Sequence, residues 1–185
     1  MSRLVIFNKP FRVLSQFSAD GDKQTLADYI DIKDVYPAGR RDYDSEGLML
    51  LTDDGRLQAR ITNPKNRSYK VYLVQLEGEI NRKAIVRLQR GVELNDGLTL
   101  PARARKVYPP EDLWARNPPI RERRNQPTSW LEIQIREGRN RQIRRMTAAV
   151  GYPTLRLIRT AIDQWTLQGL EPGQFRLIKE DKKPS

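Results

Sequence analysis

The spacing of apolar and polar positions divides the chain into many short strands and few helices. Leu4 to Phe7 predict an apolar strand closed by Asn8-Lys9-Pro10, and Arg12 to Ser15 predict a second strand near it. Asp20-Gly21-Asp22 reads as a turn, Thr25 to Ile30 carry a brief helical pattern, and Val35-Tyr36-Pro37 lead extended chain into a loop at Gly39. Leu48 to Leu51 are continuously apolar, the pattern of a buried strand. Thr52-Asp53-Asp54-Gly55 ends that strand, and Asp54 is placed to cap a helix with Leu57 and Ile61 on one face, stopped by Asn63-Pro64.

The second half begins with a strand from Tyr69 to Leu76 whose two faces are both largely apolar. Asn81 predicts the cap of a helix running to Arg90, with Ala84, Ile85 and Leu88 buried and Gly91 as its stop. Asn95-Asp96-Gly97 is a hairpin turn, and Leu98 to Val107 alternate as a strand. Residues 109 to 127 hold five prolines and the charged run Arg121-Glu122-Arg123-Arg124, an unusually long loop of the kind that often carries function. Trp130 to Ile135 resume a strand, and Asn140 is the expected cap of a helix to Val150. Strands are expected at Leu155 to Ile162, Trp165 to Leu167 and Phe175 to Ile178. The order predicts an α+β fold with a mostly antiparallel mixed sheet and flanking helices. No internal repeat is present, and the tail at 181–185 is expected to be disordered.

Charge changes the picture more than length does. The chain of 185 residues carries 34 Lys and Arg against 23 Asp and Glu, a formal charge of +11, which points to a polyanionic partner, nucleic acid first. No segment approaches the roughly 20 apolar residues of a membrane span and no signal-peptide pattern opens the chain, so a cytoplasmic location is expected. Cysteine and histidine are both absent. A Cys/His metal site, a Ser-His-Asp triad, a thiol nucleophile and disulfides are thereby excluded. Neither a GxxxxGK[ST] nor a GxGxxG pattern occurs, so no nucleotide cofactor is indicated and cofactor-free chemistry is favoured.

Two stretches are candidates for that chemistry. In GRRDYDSEGLMLLTDDG, from Gly39 to Gly55, the arginine-flanked Asp42 sits in a turn-rich run just before the buried strand, which would hold its loop rigidly. Asp42 and Asp44 also suit plain turn formation, and loops carry function more often than cores do. In EGRNRQIRRM, from Glu137 to Met146, a helix would turn Ile143, Met146 and Val150 to the core and place Arg141, Arg144 and Arg145 at i, i+3 and i+4. That cationic face fits either a solvated surface or phosphate binding. Gly138 permits a close backbone approach beside the helix start, where anions are favoured.

GRRDYDSEGLMLLTDDG resembles the catalytic signature of pseudouridine synthases of the ribosomal small-subunit synthase A branch. EGRNRQIRRM is similar to that family's third motif, Lys70-Val71-Tyr72 to its Lys-x-Tyr strand motif, and Asn8-Lys9-Pro10 to its opening motif. The resemblance covers nearly the whole chain, in order. The loop from Asn117 and the stretch Pro127-Thr-Ser-Trp-Leu resemble members acting on the large ribosomal subunit. Departures are Arg41 for the usual Leu, Ser45 for the usual Thr, and Asp163 where Gly is common.

The resemblance implies the pseudouridine synthase fold, with subdomains of about 1–64 and 65–180 around a catalytic cleft; many similar proteins carry an N-terminal S4-type RNA-binding domain, but here the matching motifs begin within ten residues, so a single catalytic domain without it is expected. The resemblance also implies isomerisation of a uridine in 23S ribosomal RNA, or in a pre-ribosomal particle, by a monomer without metal or cofactor. Asp42 would be the essential carboxylate, either nucleophile toward the sugar or the base removing a sugar proton. Tyr72 would stack on the flipped uracil and help at its C5 proton, and Arg144 would pair with Asp42 and keep it ionised. Arg40, Arg41, Lys70, Arg139, Arg141 and Arg145 are the expected RNA contacts. The competing reading is a non-catalytic ribosomal-RNA-binding or assembly protein using the same basic face; an aspartate facing a phosphate-rich ligand argues against it, because like charges repel.

Overall fold

A computed structural model of the chain describes residues 2–66, 68–122 and 125–180. The tail at 181–185, expected to be disordered, lies outside the described residues, as do Arg123 and Arg124 of the charged run. The described residues group into two compact units, one within Met1–Asn66 and Asp163–Ser185, the other within Arg67–Ile162.

In the first unit, β1 (Ser2–Lys9) is followed by the short strands β2 (Val13–Leu14) and β3 (Gln24–Thr25), which pair in parallel, then β4 (Tyr36–Pro37) and β5 (Glu46–Thr52). β1 and β5 pair antiparallel, with Val5 opposite Leu51 and Phe7 opposite Met49. These four residues, together with Leu26, Ile30 and Val35, form one core cluster. The alternate residues Leu4, Ile6, Leu48 and Leu50 are buried as well, so both faces of the pair are dry. All seven residues of β5 are buried, which is why its sequence is a continuous apolar run rather than an alternation. At about 1.5–3 kcal/mol for each large apolar side chain buried, this strand anchors whatever precedes it.

Helix α1 (Gly55–Thr62) starts where Asp54 accepts from the backbone N–H groups of Arg56 and Leu57, and ends at Asn63, as the capping pattern predicted. The helix expected from Thr25 to Ile30 is a single 3-10 turn, Leu26–Asp28. Thr25 and Asp28 close a capping box across it, and the Leu26 carbonyl accepts from both the Tyr29 and the Ile30 N–H, so the segment closes in one turn.

The second unit opens with β6 (Lys70–Glu77) and helix α2 (Arg82–Arg90), capped by Asn81 at its start and by Gly91 at its end. A small hairpin, β7 (Glu93–Leu94) and β8 (Gly97–Leu98), then interrupts the strand expected over 98–107, which becomes β9 (Arg103–Val107). β10 (Thr128–Ile135), helix α3 (Gln142–Ala149) and β11 (Thr154–Ile162) complete the unit. The strands lie in the order β11-β6-β10-β9, all antiparallel. Tyr72, Val74 and Leu76 of β6 and Leu131 and Ile133 of β10 share a core with Ala84 and Leu88 of α2 and Ile143, Met146 and Val150 of α3. Residues 71, 73, 75 and 77 of β6 point to the other face of the sheet.

The chain returns to the first unit with β12 (Trp165–Thr166) and β13 (Phe175–Glu180). Residues 163–180, expected in the second subdomain, group with the first because β13 pairs antiparallel along β1, from Ser2 with Glu180 to Phe7 with Phe175. The resulting order there is β13-β1-β5, with β4 on β5. Asp163 has φ +49°, a left-handed conformation that glycine adopts most easily and Asp tolerates better than most residues. The α+β class matches the sequence expectation.

Candidate active site

Asp42 lies half-buried in the short connection between β4 and β5, and backbone bonds hold that connection on both sides of it. Its carbonyl accepts from the Ser45 N–H at 3.1 Å and from the Ser45 hydroxyl at 2.8 Å, closing a turn over Asp42-Tyr43-Asp44-Ser45. Ser45 thus keeps the hydroxyl of the threonine usual in similar sequences. On the other side, the Ser15 hydroxyl donates to the Arg41 carbonyl at 2.7 Å and accepts from the Arg41 N–H at 3.0 Å. The Arg12 N–H donates to the Tyr43 carbonyl at 2.8 Å, and Arg41 Nη2 donates to the Glu46 carbonyl at 3.0 Å. These bonds fix the backbone that carries Asp42.

Beneath this loop Lys9 is fully buried, its ammonium donating to the carbonyls of Pro10 at 2.8 Å and Val13 at 2.9 Å. Burial first, and then the nearby Arg41 cation, pull its pKa down to about 7 against the opposing carboxylates of Glu46, Asp44 and Asp42. Sequence reading took Asn8-Lys9-Pro10 as a strand end and as the family's opening motif, and gave Lys9 itself no role.

Tyr72 is the third residue of β6, 6% exposed and part of the core of the second unit. Lys70, at the start of the same strand, is half-buried, and its Nζ would lie 3.6 Å from a Cβ placed on Gly138. Arg144 is half-buried on α3. Arg40 is exposed.

The start of α3 differs from expectation. Asn140 is not the cap: Arg141, at φ +51°, is the N-cap residue and makes no side-chain capping bond. Gln142 instead reaches back, its Oε1 accepting from the Arg139 N–H at 3.1 Å while its N–H donates to the Arg139 carbonyl. The left-handed residue turns the chain after Asn140, so that side chain stands one position too early to serve the helix. Arg141 is consequently exposed outside α3, and only Arg144 and Arg145 lie on the helix itself.

Arg139 and Arg145, both expected to touch RNA, are engaged by carboxylates. Arg145 Nη1 and Nη2 lie 2.8 and 3.2 Å from Asp96 Oδ1 and Oδ2. Arg139 Nη1 lies 3.4 Å from Asp96 Oδ1, its Nε lies 3.3 Å from Glu137, and it donates to the carbonyls of Gly97 and Leu98. Glu137 also accepts from the Gln142 amide and the Leu100 N–H, both at 2.8 Å. The network ties the β7–β8 hairpin to the start of α3; sequence reading took Asp96 as a turn residue and Glu137 only as the start of the basic segment, and gave neither this part.

The proline-rich segment is ordered by two arginines. Arg116 donates to the carbonyls of Pro118 at 2.9 Å and Leu155 at 3.3 Å, and Arg156 donates to the Trp114 carbonyl at 2.9 Å with its guanidinium 5.8 Å from the Trp114 ring. A cavity of about 490 Å³ lies beneath, lined by Gln75, Glu77, Arg121, Gln126, Thr128 and Arg156 among others. Among the described residues, no group of three or more His, Cys, Asp or Glu is placed to hold a metal ion, and no helix is long and apolar enough to cross a membrane.

Comparison with known proteins covers this same span. Residues 3–149 match the family model described as RNA pseudouridylate synthase. The chain is 54% identical over 177 residues to ribosomal large subunit pseudouridine synthase E of Vibrio parahaemolyticus, covering 96% of this chain and 74% of that protein. It is 53% identical over 176 residues to the protein of the same name from Xanthomonas campestris, covering 94% of each, and 35% identical over 189 residues to ribosomal small subunit pseudouridine synthase A of Vibrio cholerae, covering 99% of this chain and 73% of that protein. A crystal structure of a pseudouridylate synthase superimposes with a TM-score of 0.77 at 29% identity, covering 97% of this chain and 71% of that one. The human RNA pseudouridylate synthase domain containing 1 shares the fold at 16% identity, with a TM-score of 0.57 over 86% of this chain and 74% of that one. With four motifs in register and a family match across more than half its length, the chain belongs to the RNA pseudouridylate synthase family.

Proposed function

We propose that the chain isomerises a specific uridine of large-subunit ribosomal RNA to pseudouridine, as a cytoplasmic monomer that needs no cofactor. The reaction breaks the N-glycosidic bond, turns the uracil and rejoins it through C5, with no net oxidation or hydrolysis. Asp42 supplies the carboxylate that starts cleavage, Tyr72 the aromatic surface for the turned base, and Arg144 the cation that serves Asp42. The observation that carries this reading is the family match over residues 3–149, within which Asp42 stands on a turn tethered through its own carbonyl. The relatives named for the large ribosomal subunit, at 53–54% identity, support the substrate class. Arg40, Lys70 and Arg141 serve as RNA contacts. Arg41, Arg139 and Arg145 act chiefly by holding the Asp42 loop and the start of α3, since backbone carbonyls and carboxylates occupy their donors.

Tritium release from C5-labelled large-subunit RNA tests this directly. Wild-type protein releases tritium, and Asp42→Asn, nearly isosteric, binds RNA and stays folded but releases none. Near-normal turnover by that variant removes Asp42 from the reaction.

A further inference from the structure

At one end of the second unit's sheet, two guanidinium groups lie on a single aromatic ring. The Arg103 Cζ is 4.2 Å from the centre of the Tyr69 ring, and the Arg136 Cζ is 5.3 Å from it. Strand register assembles the group from three places in the chain. Arg103 on β9 pairs with Gln134 on β10, Ile135 pairs with Lys70 on β6, and Tyr69 and Arg136 are the residues just outside those strand ends. Ala102 and Ala104 flank Arg103 and are buried in the core with α2, so the pleat sends Arg103 to the opposite, open face.

Charge compensation separates this cluster from three other arginines of the unit. Arg139 and Arg145 meet Asp96 and Glu137, and Arg105, two residues along β9, meets Glu132 at 3.2 Å. Among the described residues neither Arg103 nor Arg136 has a carboxylate partner, and Arg136 Nε is buried with no hydrogen-bond partner. Both cations lie close to one ring centre, so they are within roughly a Debye length, about 8–10 Å, of each other and repel with little screening. The ring face offsets part of that repulsion, at about 0.5–2 kcal/mol per cation. It supplies no acceptor for the N–H donors, and a buried unsatisfied donor calls for a missing partner.

We propose that Tyr69, Arg103 and Arg136 form a phosphate-binding site for the backbone of the substrate RNA, separate from the nine residues singled out in the sequence. A phosphate oxygen pair matches the guanidinium fork, neutralises the two cations and supplies the acceptor that Arg136 Nε lacks. Tyr69 holds the two forks in place before RNA arrives, so less side-chain freedom is lost on binding. The site rests on the reading of the protein as an RNA-acting enzyme, and it gives the strand face opposite α2 and α3 a part in holding a large substrate.

The test is RNA affinity over a salt series, using the whole chain and a transcribed large-subunit ribosomal RNA fragment. Arg103→Ala and Arg136→Ala are each expected to weaken binding several-fold and to flatten the slope of log K against log salt by about one unit. Arg103→Glu, at an exposed strand position that tolerates substitution, should weaken binding about tenfold or more. Lys83→Ala removes one charge from exposed α2 and should leave the slope unchanged. Wild-type slope and affinity in Arg103→Glu overturn the proposal, as does an equal flattening by Lys83→Ala, which would mean diffuse charge rather than a site. Polyglutamate binding lost in Arg103→Glu while RNA binding persists also overturns it, in favour of an acidic protein partner. If wild-type protein releases no tritium yet Arg103→Glu still abolishes salt-steep RNA binding, the catalytic reading fails and this site stands.

Discussion

Asp96 and Arg145 meet fork to fork, Oδ1 with Nη1 at 2.8 Å and Oδ2 with Nη2 at 3.2 Å, and so join a hairpin turn to the first turn of α3. The guanidinium hydrogen bonds hold the Asp96 carboxyl below the usual carboxylate range and push the Arg145 guanidinium above its own. Because the folded-state pKa of Asp96 is depressed, its contribution to stability is complete above the unfolded value of about 3.9 and is lost as pH falls through the folded one.

Asp96→Asn should therefore loosen the start of α3 without unfolding the protein. Amide hydrogen exchange is the measurement: the Arg145 N–H, bonded to the Arg141 carbonyl, should exchange faster in the variant at pH 7. The difference between variant and wild type should vanish in acid. Equal protection at both pH values would show that the pair contributes nothing to the helix start.

Lys9 gives a pH dependence of the same sign in a higher window. Its pKa falls from about 10.4 in an unfolded chain to about 7 here, so between those values the unfolded chain holds the extra proton and stability rises with pH. The rise approaches about 1.4 kcal/mol per pH unit at its steepest. Lys9→Met removes it. Urea unfolding at pH 7 and pH 9 should show wild type gaining roughly 2 kcal/mol on the variant over that interval; parallel pH curves would mean that Lys9 stays charged in the folded protein.

Gly91 ends α2 at φ +107°, and a Cβ there would stand 2.5 Å from the Thr99 carbonyl oxygen. That neighbour cannot move aside, since the Thr99 N–H and hydroxyl both bond to Val92. Gly91→Ala should cost at least about 2 kcal/mol, from backbone strain together with the clash. A thermal melt should register this as a fall of about 4–8 °C in Tm, at about 2–4 °C per kcal/mol for a chain of this size.

Local features were legible wherever one short stretch determines the outcome. The apolar run of β5, the Asp54 and Asn81 caps and the Gly91 stop all follow from neighbours within a few residues. The start of α3 was not legible, because Gln142 folds back on Arg139 and a left-handed Arg141 displaces the expected cap. Nor was the placement of residues 163–180, since no local pattern announces that β13 pairs with β1. For the site, turn residues and the strand behind them made the Asp42 loop legible as a loop, while the role expected of Asp42 came from the resemblance of the whole run. The Tyr69 cluster was hidden: Arg103 looks like one charge in an alternating strand, and only the register across β9, β10 and β6 brings it to Tyr69 and Arg136.

The pairing of β1 with β13 also sets an order of assembly. Residues 67–162 are contiguous and close their own core, whereas β1 has one partner in β5 and the other at the far end of the chain. During synthesis from the N-terminus, the first strand made waits for the last, with one edge open throughout. Contacts so distant in sequence form slowly, because loop-closure entropy must be met before pairing returns anything. The unit that carries Asp42 is therefore the last to be completed, and an unfinished chain holds the Asp42 loop on an incomplete sheet.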